Sequence, residues 1–291
     1  MAYRFANNAV LKRLGILATL LGASAALWPA SAQENGKIPD LVLNSNAGWM
    51  EIGDELLPPP SGPGPVTNDP RYPYVDNGQA RRRGIQPTYR VADLNNPILQ
   101  PWAREQMKKA NDDVLAGKVP FRPRERCLPA GVPGFLIYTL VEPFYFLQTP
   151  KQVTIINNGN VESRRVYLNV PHSKSVKPSW YGESVGHYEN GDTLVVDTIG
   201  LSTKTFVDNY RTPHTDKLHV VERFKLNNDG KGIEVLITVE DPGAFTTPWS
   251  AIYRFRKIEG RVLHEEVCAE NNLNYFNYDV APIPSADSPD F

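Results

Sequence analysis

The feature that most constrains this sequence is a succession of short β-type runs between residues 135 and 267. Turn residues separate the runs, as at Asn190-Gly191 and Asp229-Gly230, and such pairs between β-type runs are strong hairpin signals. The pattern predicts strands near 135–140, 144–148, 152–157, 164–170, 184–188, 193–199, 218–226, 233–240, 251–258 and 261–267. About ten strands joined by tight turns predict a mainly β protein folded as an antiparallel meander. A barrel is favoured over a sandwich because closure removes exposed sheet edges.

The chain before these runs has a different character. Residues 33–95 are rich in Pro, Gly, Asn and Asp, which predicts an irregular arm. Residues 96–118 predict one amphipathic helix, with Asn96 as its cap, Pro97 in its first turn and Gly117 at its exit. The β-barrel-like domain is then expected to occupy residues 119–291.

The amino end has the three parts of a secretory signal peptide. Three basic residues precede an apolar run from Leu14 to Leu27, and Ala30-Ser31-Ala32 closes the segment. The apolar run has about 14 residues, whereas a membrane-spanning helix needs roughly 20. The sequence therefore predicts cleavage after Ala32, a location in the periplasm or outside the cell, and no membrane span in the mature chain.

Charge and cysteine content narrow the possible partners and the redox setting. The chain has a formal net charge of −1, and removal of residues 1–32 takes away three positive charges. The mature chain therefore lacks the excess of positive charge that is typical of proteins that bind nucleic acids. The two cysteines, Cys127 and Cys268, predict a structural disulfide in an exported protein. In the chain-entropy model, a disulfide that closes the long loop between Cys127 and Cys268 stabilises the folded protein by about 4–5 kcal/mol. A thiol nucleophile or a metal ligand is the alternative role.

Several segments resemble a known group of proteins. These segments are the stretch from Gly186-His187 to Val196-Asp197, with Gly191-Asp192-Thr193-Leu194-Val195-Val196-Asp197-Thr198 at its centre, then Val221-Glu222-Arg223-Phe224, Asp241-Pro242, Pro248-Trp249 and Cys268-Ala269-Glu270-Asn271-Asn272. Together they resemble a large family of uncharacterised, exported, β-rich bacterial proteins, over roughly residues 125–275. The resemblance implies no established activity. The architecture is more loosely similar to lipocalin-like (calycin) barrels, and a similar fold alone does not imply a function.

Glu222 is the first candidate for chemistry. Side chains alternate across a strand, so Glu222 shares a face with Val220 and Phe224. An ionised carboxylate inside a barrel is costly unless it is paired, and burial raises its pKa toward the range useful for general acid–base catalysis. The alternative is a buried ion pair between Glu222 and Arg165 or Arg254.

Asp197 and His187 are candidates on the same grounds. Asp197 shares a strand face with Val195 and Ile199, and His187 shares one with Val185. Asp197 stands near a strand end and could instead accept hydrogen bonds from loop amides. His187 could be a histidine satisfied within the core.

Two loops add further candidates. The loop 200–217 is long for a β-meander, as functional lids often are, and it holds Lys204, Asp208, Tyr210, Arg211 and His214. The loop 171–183 holds His172, Ser173, Lys174, Trp180 and Tyr181. A Trp and a Tyr beside a histidine fit an aromatic or apolar ligand at a barrel mouth, although ordinary surface loops also carry aromatic anchors.

These residues support two hypotheses. The first is a cofactor-independent lyase, isomerase or hydratase that uses general acid–base catalysis on a small apolar or aromatic molecule. Its catalytic residues would be Glu222, Asp197, His187 and His214, and its ligand-binding residues Tyr181, Trp180, Tyr210, His172 and Arg165. The second is a periplasmic carrier that binds an apolar ligand without changing it.

No cofactor is expected, because the sequence has no P-loop, no G-x-G-x-x-G after a strand and no HExxH. The spacing of His172, His187 and His214 matches no standard metal-ligand motif, so no metal site is predicted. The oligomeric state does not follow from the sequence.

Overall fold

Nine strands close into a barrel in which each strand pairs with its neighbours in chain order. The computed structural model describes residues 38–118, 120–123, 127–137, 142–159 and 162–267. The strands are β1 (Ala47–Glu51), β2 (Phe144–Gln148), β3 (Gln152–Asn157), β4 (Glu162–Leu168), β5 (Glu183–Glu189), β6 (Thr193–Ile199), β7 (His219–Leu226), β8 (Gly232–Glu240) and β9 (Trp249–Glu259). The prediction of a mainly β protein, with a barrel rather than a sandwich, is confirmed.

The first strand comes from the segment that the sequence indicated as an irregular arm. β1 pairs with β9 over five residues, from Ala47 opposite Glu259 to Glu51 opposite Phe255. On its other side, Trp49 pairs with Phe144 of β2. β1 is therefore the strand that joins the two ends of the sheet, and the barrel includes part of the segment 33–95.

One pair of strands departs from the antiparallel meander. β5 runs parallel to β4, and the pairing is limited to three residue pairs, from Val166 opposite Ser184 to Leu168 opposite Gly186. The chain between them returns along the barrel before β5 begins, as a parallel connection requires. The first half of β4 is left without a partner on β5, which opens a gap in the barrel wall.

In the described part of the chain, three helices accompany the barrel: α1 (Asn77–Arg83), α2 (Pro101–Leu115) and α3 (Gly134–Ile137). The predicted helix is confirmed as α2, but it begins at Pro101 with Gln100 at its cap, not at Asn96. The side chain of Asn96 instead donates to the carbonyl oxygen of Pro65 at 3.0 Å and ties the preceding loop together.

The prediction of a strand at 135–140 is wrong for residues 135–137, which belong to α3. A short apolar run has no periodicity that separates a buried helix from a buried strand. The strand predicted at 261–267 is also wrong, because that segment is irregular. Among the described residues, no helix is long and apolar enough to cross a membrane.

Aromatic side chains fill much of the barrel interior. The rings of Phe144 and Phe255 pack edge to face at 5.3 Å, and those of Phe146 and Phe224 at 5.8 Å. Phe135 of α3 packs against Phe144 at 5.4 Å, which places α3 beside the start of β2. Edge-to-face pairs of this kind contribute beyond the area they bury.

Two predictions from the sequence fall on residues that the structure does not describe. The proposed signal peptide, residues 1–32, lies outside the described residues. Cys268, the expected disulfide partner of Cys127, also lies outside them. Both remain predictions.

Candidate functional site

A cleft occupies the gap between β4 and β5. Its volume is about 380 Å³, within the usual range for small-molecule sites. Its lining residues are Ser163, Arg164, Arg165, Tyr167, Ser175, Val176, Lys177, Tyr181, Gly182, Glu183 and Ser184. Arg164 and Ser184 are buried whereas Arg165 and Tyr167 are exposed, so residues from both faces of β4 contribute to the cleft lining.

A buried ion pair lies at the inner end of this cleft. Nη2 of Arg164 is 2.5 Å from Oε2 of Glu222, and the two side chains are 1% and 0% exposed. Arg164 also donates from Nη2 to Thr198 Oγ1 at 2.6 Å and from Nε to Ser184 Oγ at 3.1 Å. Glu222 therefore points inward as predicted, but its partner is Arg164 on the inner face of β4, not Arg165 or Arg254.

Asp197 lies on the outer face of the barrel, at the centre of a histidine–carboxylate network. Its Oδ1 is 3.0 Å from Nε2 of His172 and 2.9 Å from Nε2 of His219. His172 reaches Oε1 of Glu183 through Nδ1, also at 3.0 Å. Because Glu183 lines the cleft, this network of four side chains begins at the cleft wall and extends across β5, β6 and β7.

The network shifts the pKa values of its members. Burial works to raise the pKa of Asp197, but hydrogen bonds with His219 and His172 outweigh it, and the pKa lies below its ordinary value. The hydrogen bond to Asp197 raises the pKa of His219 above its usual 6.5, against partial burial and with help from Glu240. Hydrogen bonds from the Ser173 hydroxyl and backbone amide lower the pKa of Glu183.

These shifts predict a pH-dependent stability. The raised pKa of His219 stabilises the fold fully below about pH 6.5, and this contribution is lost as pH rises through the folded-state pKa. Because its pKa is lowered, Asp197 contributes stability at pH values above the ordinary pKa of an aspartate. This contribution is lost as the pH falls through the folded-state pKa. We expect His219→Gln to lower the melting temperature more at about pH 5.5 than at about pH 8.5.

Asp197→Asn is the matched variant for that measurement, because it removes the shared partner and leaves His219 in place. Asp197→Asn should show the same pH-dependent loss of stability as His219→Gln. Equal losses for His219→Gln at both pH values would contradict the assignment.

The loop 200–217, predicted as a lid, is anchored in the structure. Asp208, at 2% exposed, accepts hydrogen bonds from the amides of Tyr210 and Thr212 and from the Thr212 hydroxyl. The Tyr210 hydroxyl donates to Oε1 of Glu55 at 3.1 Å, and burial raises the pKa of Tyr210. Tyr210 is therefore part of a structural contact with the preceding chain and does not line the cleft.

His214 is buried, and both of its ring nitrogens lie within hydrogen-bond distance of a neighbouring oxygen. Its Nε2 is 2.8 Å from the Thr205 hydroxyl and its Nδ1 is 2.8 Å from the carbonyl oxygen of Thr215. Burial lowers the pKa of His214. The catalytic role predicted for His214 would require access to the cleft, and His214 is not among the residues that line it.

The structure brings together only part of the predicted set. Arg165 and Tyr181 line the cleft, Glu222 supports its inner end through Arg164, and His172 contacts its wall through Glu183. His187 contacts a residue outside the cleft lining, since its Nε2 is 3.0 Å from Oε1 of Glu189. The aromatic face of Trp180 lies 6.0 Å from Nζ of Lys204. His187 and Trp180 are both absent from the cleft lining.

Sequence reasoning missed four residues that the structure assigns to this region: Arg164, Lys177, Glu183 and His219. Arg164 could have been found from the alternation that identified Glu222, because the inward face of β4 also carries Val166 and Leu168. His219 could not be matched with Asp197 from sequence, because the register of β6 against β7 depends on the long loop between them.

A second, apolar cavity of about 250 Å³ lies beside β1 and β2. Leu41, Leu43, Trp49, Phe144, Phe146 and Leu263 are among its lining residues. Unlike the cleft, this cavity is lined mainly by apolar side chains.

Glu142, His264 and Glu266 are the described residues whose ligand atoms come close enough to hold a metal ion, within 4.8 Å of one another. Asn158 donates to Oε2 of Glu142 at 3.1 Å and accepts from the His264 amide at 3.0 Å. Asn158 therefore connects Glu142 with His264, whereas Oε2 of Glu266 is buried without a hydrogen-bond partner among the described residues. The three histidines considered from the sequence, at positions 172, 187 and 214, form no such group among the described residues.

Comparison with known proteins adds no assignment. The chain matches no protein-family model, and no curated protein is significantly similar to it.

Proposed function

We propose that the protein binds a small polar molecule in the cleft between β4 and β5. The observation that carries the proposal is a gap of about 380 Å³ whose lining joins exposed polar side chains to the buried Arg164 and Ser184. Convergent polar groups in a concave site are the groups that fix the orientation of a bound small molecule.

Binding ranks above catalysis because of where the predicted catalytic residues lie. Glu222 is paired with a buried arginine, Asp197 is held by two histidines, and His214 is buried against Thr205. An enzyme needs at least two such groups within about 3 Å of one ligand position. The cleft instead presents hydroxyls, cations and aromatic side chains, which are groups that bind and orient a ligand.

Amide NMR spectra of the protein, recorded with benzamide and separately with benzoate, test this proposal. We expect saturable shifts concentrated in the first half of β4 and in residues 175–184. Ser163→Trp should weaken binding by at least about tenfold, because a bulky side chain on this exposed position fills the cleft; a tenfold change corresponds to about 1.4 kcal/mol.

Leu236→Trp is the matched control, since Leu236 is also exposed on a strand of the barrel but lies on β8 and outside the cleft lining. It should leave binding unchanged. Shifts that map to Leu41 and Phe146 would move the binding site to the apolar cavity and contradict the proposal.

A second candidate function is acid–base catalysis at the same cleft. The specific observation in its favour is the chain of hydrogen bonds from Glu183 through His172 to Asp197 and His219. Glu183 is the member that faces the cleft, and it would take a proton from a bound molecule. The lowered pKa of Glu183 makes it a weak base, which places this function second.

Deuterium exchange at the α-carbon of mandelate in heavy water is a direct assay for such chemistry. If the network transfers protons, the protein accelerates exchange and Asp197→Asn lowers the rate by about 10²-fold or more. Glu189→Gln, which changes a carboxylate outside the cleft lining, is the control. Equal rates in the two variants would contradict catalysis by the network.

A further inference from the structure

We propose that the cleft selects ligands that carry an anionic group, a carboxylate or a phosphate, and binds that group at Nη1 of Arg164. This inference rests on the proposed function and adds the class of ligand to it. Its basis is a buried cationic donor without a protein partner, together with the charge of the side chains around it.

Arg164 has one nitrogen that the protein leaves unused. Nε donates to Ser184, and Nη2 contacts Thr198 and Glu222, so these two nitrogens fix the plane of the guanidinium. Nη1 has no hydrogen-bond partner among the described residues, and the Arg164 side chain is 1% exposed. A buried N–H group without a partner is costly. Nη1 is enclosed by the protein, but Arg164 is one of the residues that line the cleft, so a ligand oxygen that enters from the cleft and reaches Nη1 would satisfy it.

The held guanidinium is already suited to an anion. Hydrogen bonds between a guanidinium N–H and a carboxylate or phosphate oxygen are stronger than neutral ones, and Nη1 is the nitrogen left to form one. Because Glu222, Thr198 and Ser184 hold Arg164 in one orientation, little side-chain entropy remains to be lost on binding.

The other charges of the cleft favour the same class of ligand. Arg165 and Lys177 are exposed at its rim, and Glu183 is the one carboxylate in its lining. That carboxylate is occupied by hydrogen bonds from His172 and Ser173. Because Glu222 balances the charge of Arg164, the positive excess of the cleft comes from Arg165 and Lys177. The formal net charge of the chain is −1, so the local field, not the total charge, attracts an anion.

The remaining lining groups can complete the recognition of an oxyanion. Ser163 and Ser175 offer exposed hydroxyl groups, whereas the Ser184 hydroxyl is held by hydrogen bonds with Arg164 and Thr198. Tyr167 and Tyr181 provide aromatic surface for the rest of the molecule. A small aromatic acid or phosphate ester has this combination of groups.

Three probes of similar shape test the inference by isothermal titration calorimetry: benzoate, phenyl phosphate and neutral benzamide. We expect benzoate or phenyl phosphate to bind at least about tenfold more tightly than benzamide, because only the anions form a charge-assisted hydrogen bond with Arg164. The stronger of the two anions identifies the carboxylate or the phosphate as the preferred group.

Two variants connect this preference with the cleft. Arg164→Met alone would leave Glu222 buried and unpaired, so Arg164→Met/Glu222→Leu is used, which removes both charges together. It should lower the affinity for the preferred anion about tenfold and leave benzamide binding unchanged. Lys177→Gln, at an exposed position, should weaken anion binding about two- to fivefold. Lys231→Gln, an exposed lysine outside the cleft lining, should have no effect.

The outcomes separate this inference from the proposed function. Equal affinities for benzamide and both anions overturn the inference and leave binding in the cleft intact. An anion preference that survives in Arg164→Met/Glu222→Leu also overturns it, since another group would then be responsible. Absence of saturable binding by all three probes contradicts the proposed function and the inference together.

Discussion

Glu222→Gln is expected to lower the free energy of unfolding by about 3–5 kcal/mol, the usual cost of removing one partner of a buried ion pair. The substitution nearly conserves shape, so packing changes little. The loss comes from Arg164, which keeps its charge at 1% exposure with no carboxylate beside it. Urea denaturation of the wild-type protein and the variant measures the difference.

Glu234→Gln is the control for this measurement. Glu234 pairs with Arg254 at 2.9 Å, but the two side chains are 53% and 44% exposed. Exposed pairs are worth about 0–1 kcal/mol, so this variant should remain close to wild type. Arg164→Met/Glu222→Leu should recover most of the lost stability, because apolar replacements of a buried pair are often neutral or stabilising. A Glu222→Gln variant as stable as wild type would contradict this account of the pair.

Trp49→Ala is expected to cost about 3–5 kcal/mol, the range for truncation of a large buried aromatic residue. Trp49 is fully buried in the strand that joins the two ends of the sheet. Its Nε1 also donates to the carbonyl oxygen of Leu41 at 2.9 Å, so the variant loses packing and an anchor of the preceding chain. Thermal and urea unfolding both report the loss.

Two substitutions calibrate the Trp49 result. Leu147→Ala changes a residue on the adjacent strand that is 52% exposed, and a surface change of this kind should stay within about 0.5 kcal/mol. Trp49→Phe retains most of the ring but loses the hydrogen bond to Leu41, and should cost about 1 kcal/mol or more. If Trp49→Ala is no worse than Leu147→Ala, β1 contributes little to the closed barrel.

Much of the fold could be predicted because its signals are local. The turn pair Asp229-Gly230 separates β7 from β8, two strands whose alternating side chains reveal one buried face. The position of β1 could not be predicted, because five residues amid proline- and glycine-rich sequence have no strand pattern of their own. Its pairing with β9 provides the stabilisation that the local sequence lacks.

The candidate site was harder to predict, because it depends on which faces and strands meet. Glu222 was placed correctly, since its strand has one buried face. Asp197 was not, because the residues before it in β6, from Thr193 to Val196, are buried on both faces and give no alternation to read. The cleft itself arises from the parallel pairing of β4 with β5, which depends on the course of the connection and not on either strand's composition.

The pairing of β1 with β9 also has a kinetic consequence. Ala47 and Glu259 are neighbours in the sheet but stand near opposite ends of the described chain, so ring closure forms some of the most distant contacts in the sequence. Contacts of such high sequence separation slow folding, because the entropy of the loop is lost before the pairing stabilises the product. Until β9 is synthesised, β1 and β8 each lack the strand that covers one of their edges. The nascent chain therefore exposes two strand edges that can pair with other chains, and we expect truncations before Trp249 to aggregate rather than fold.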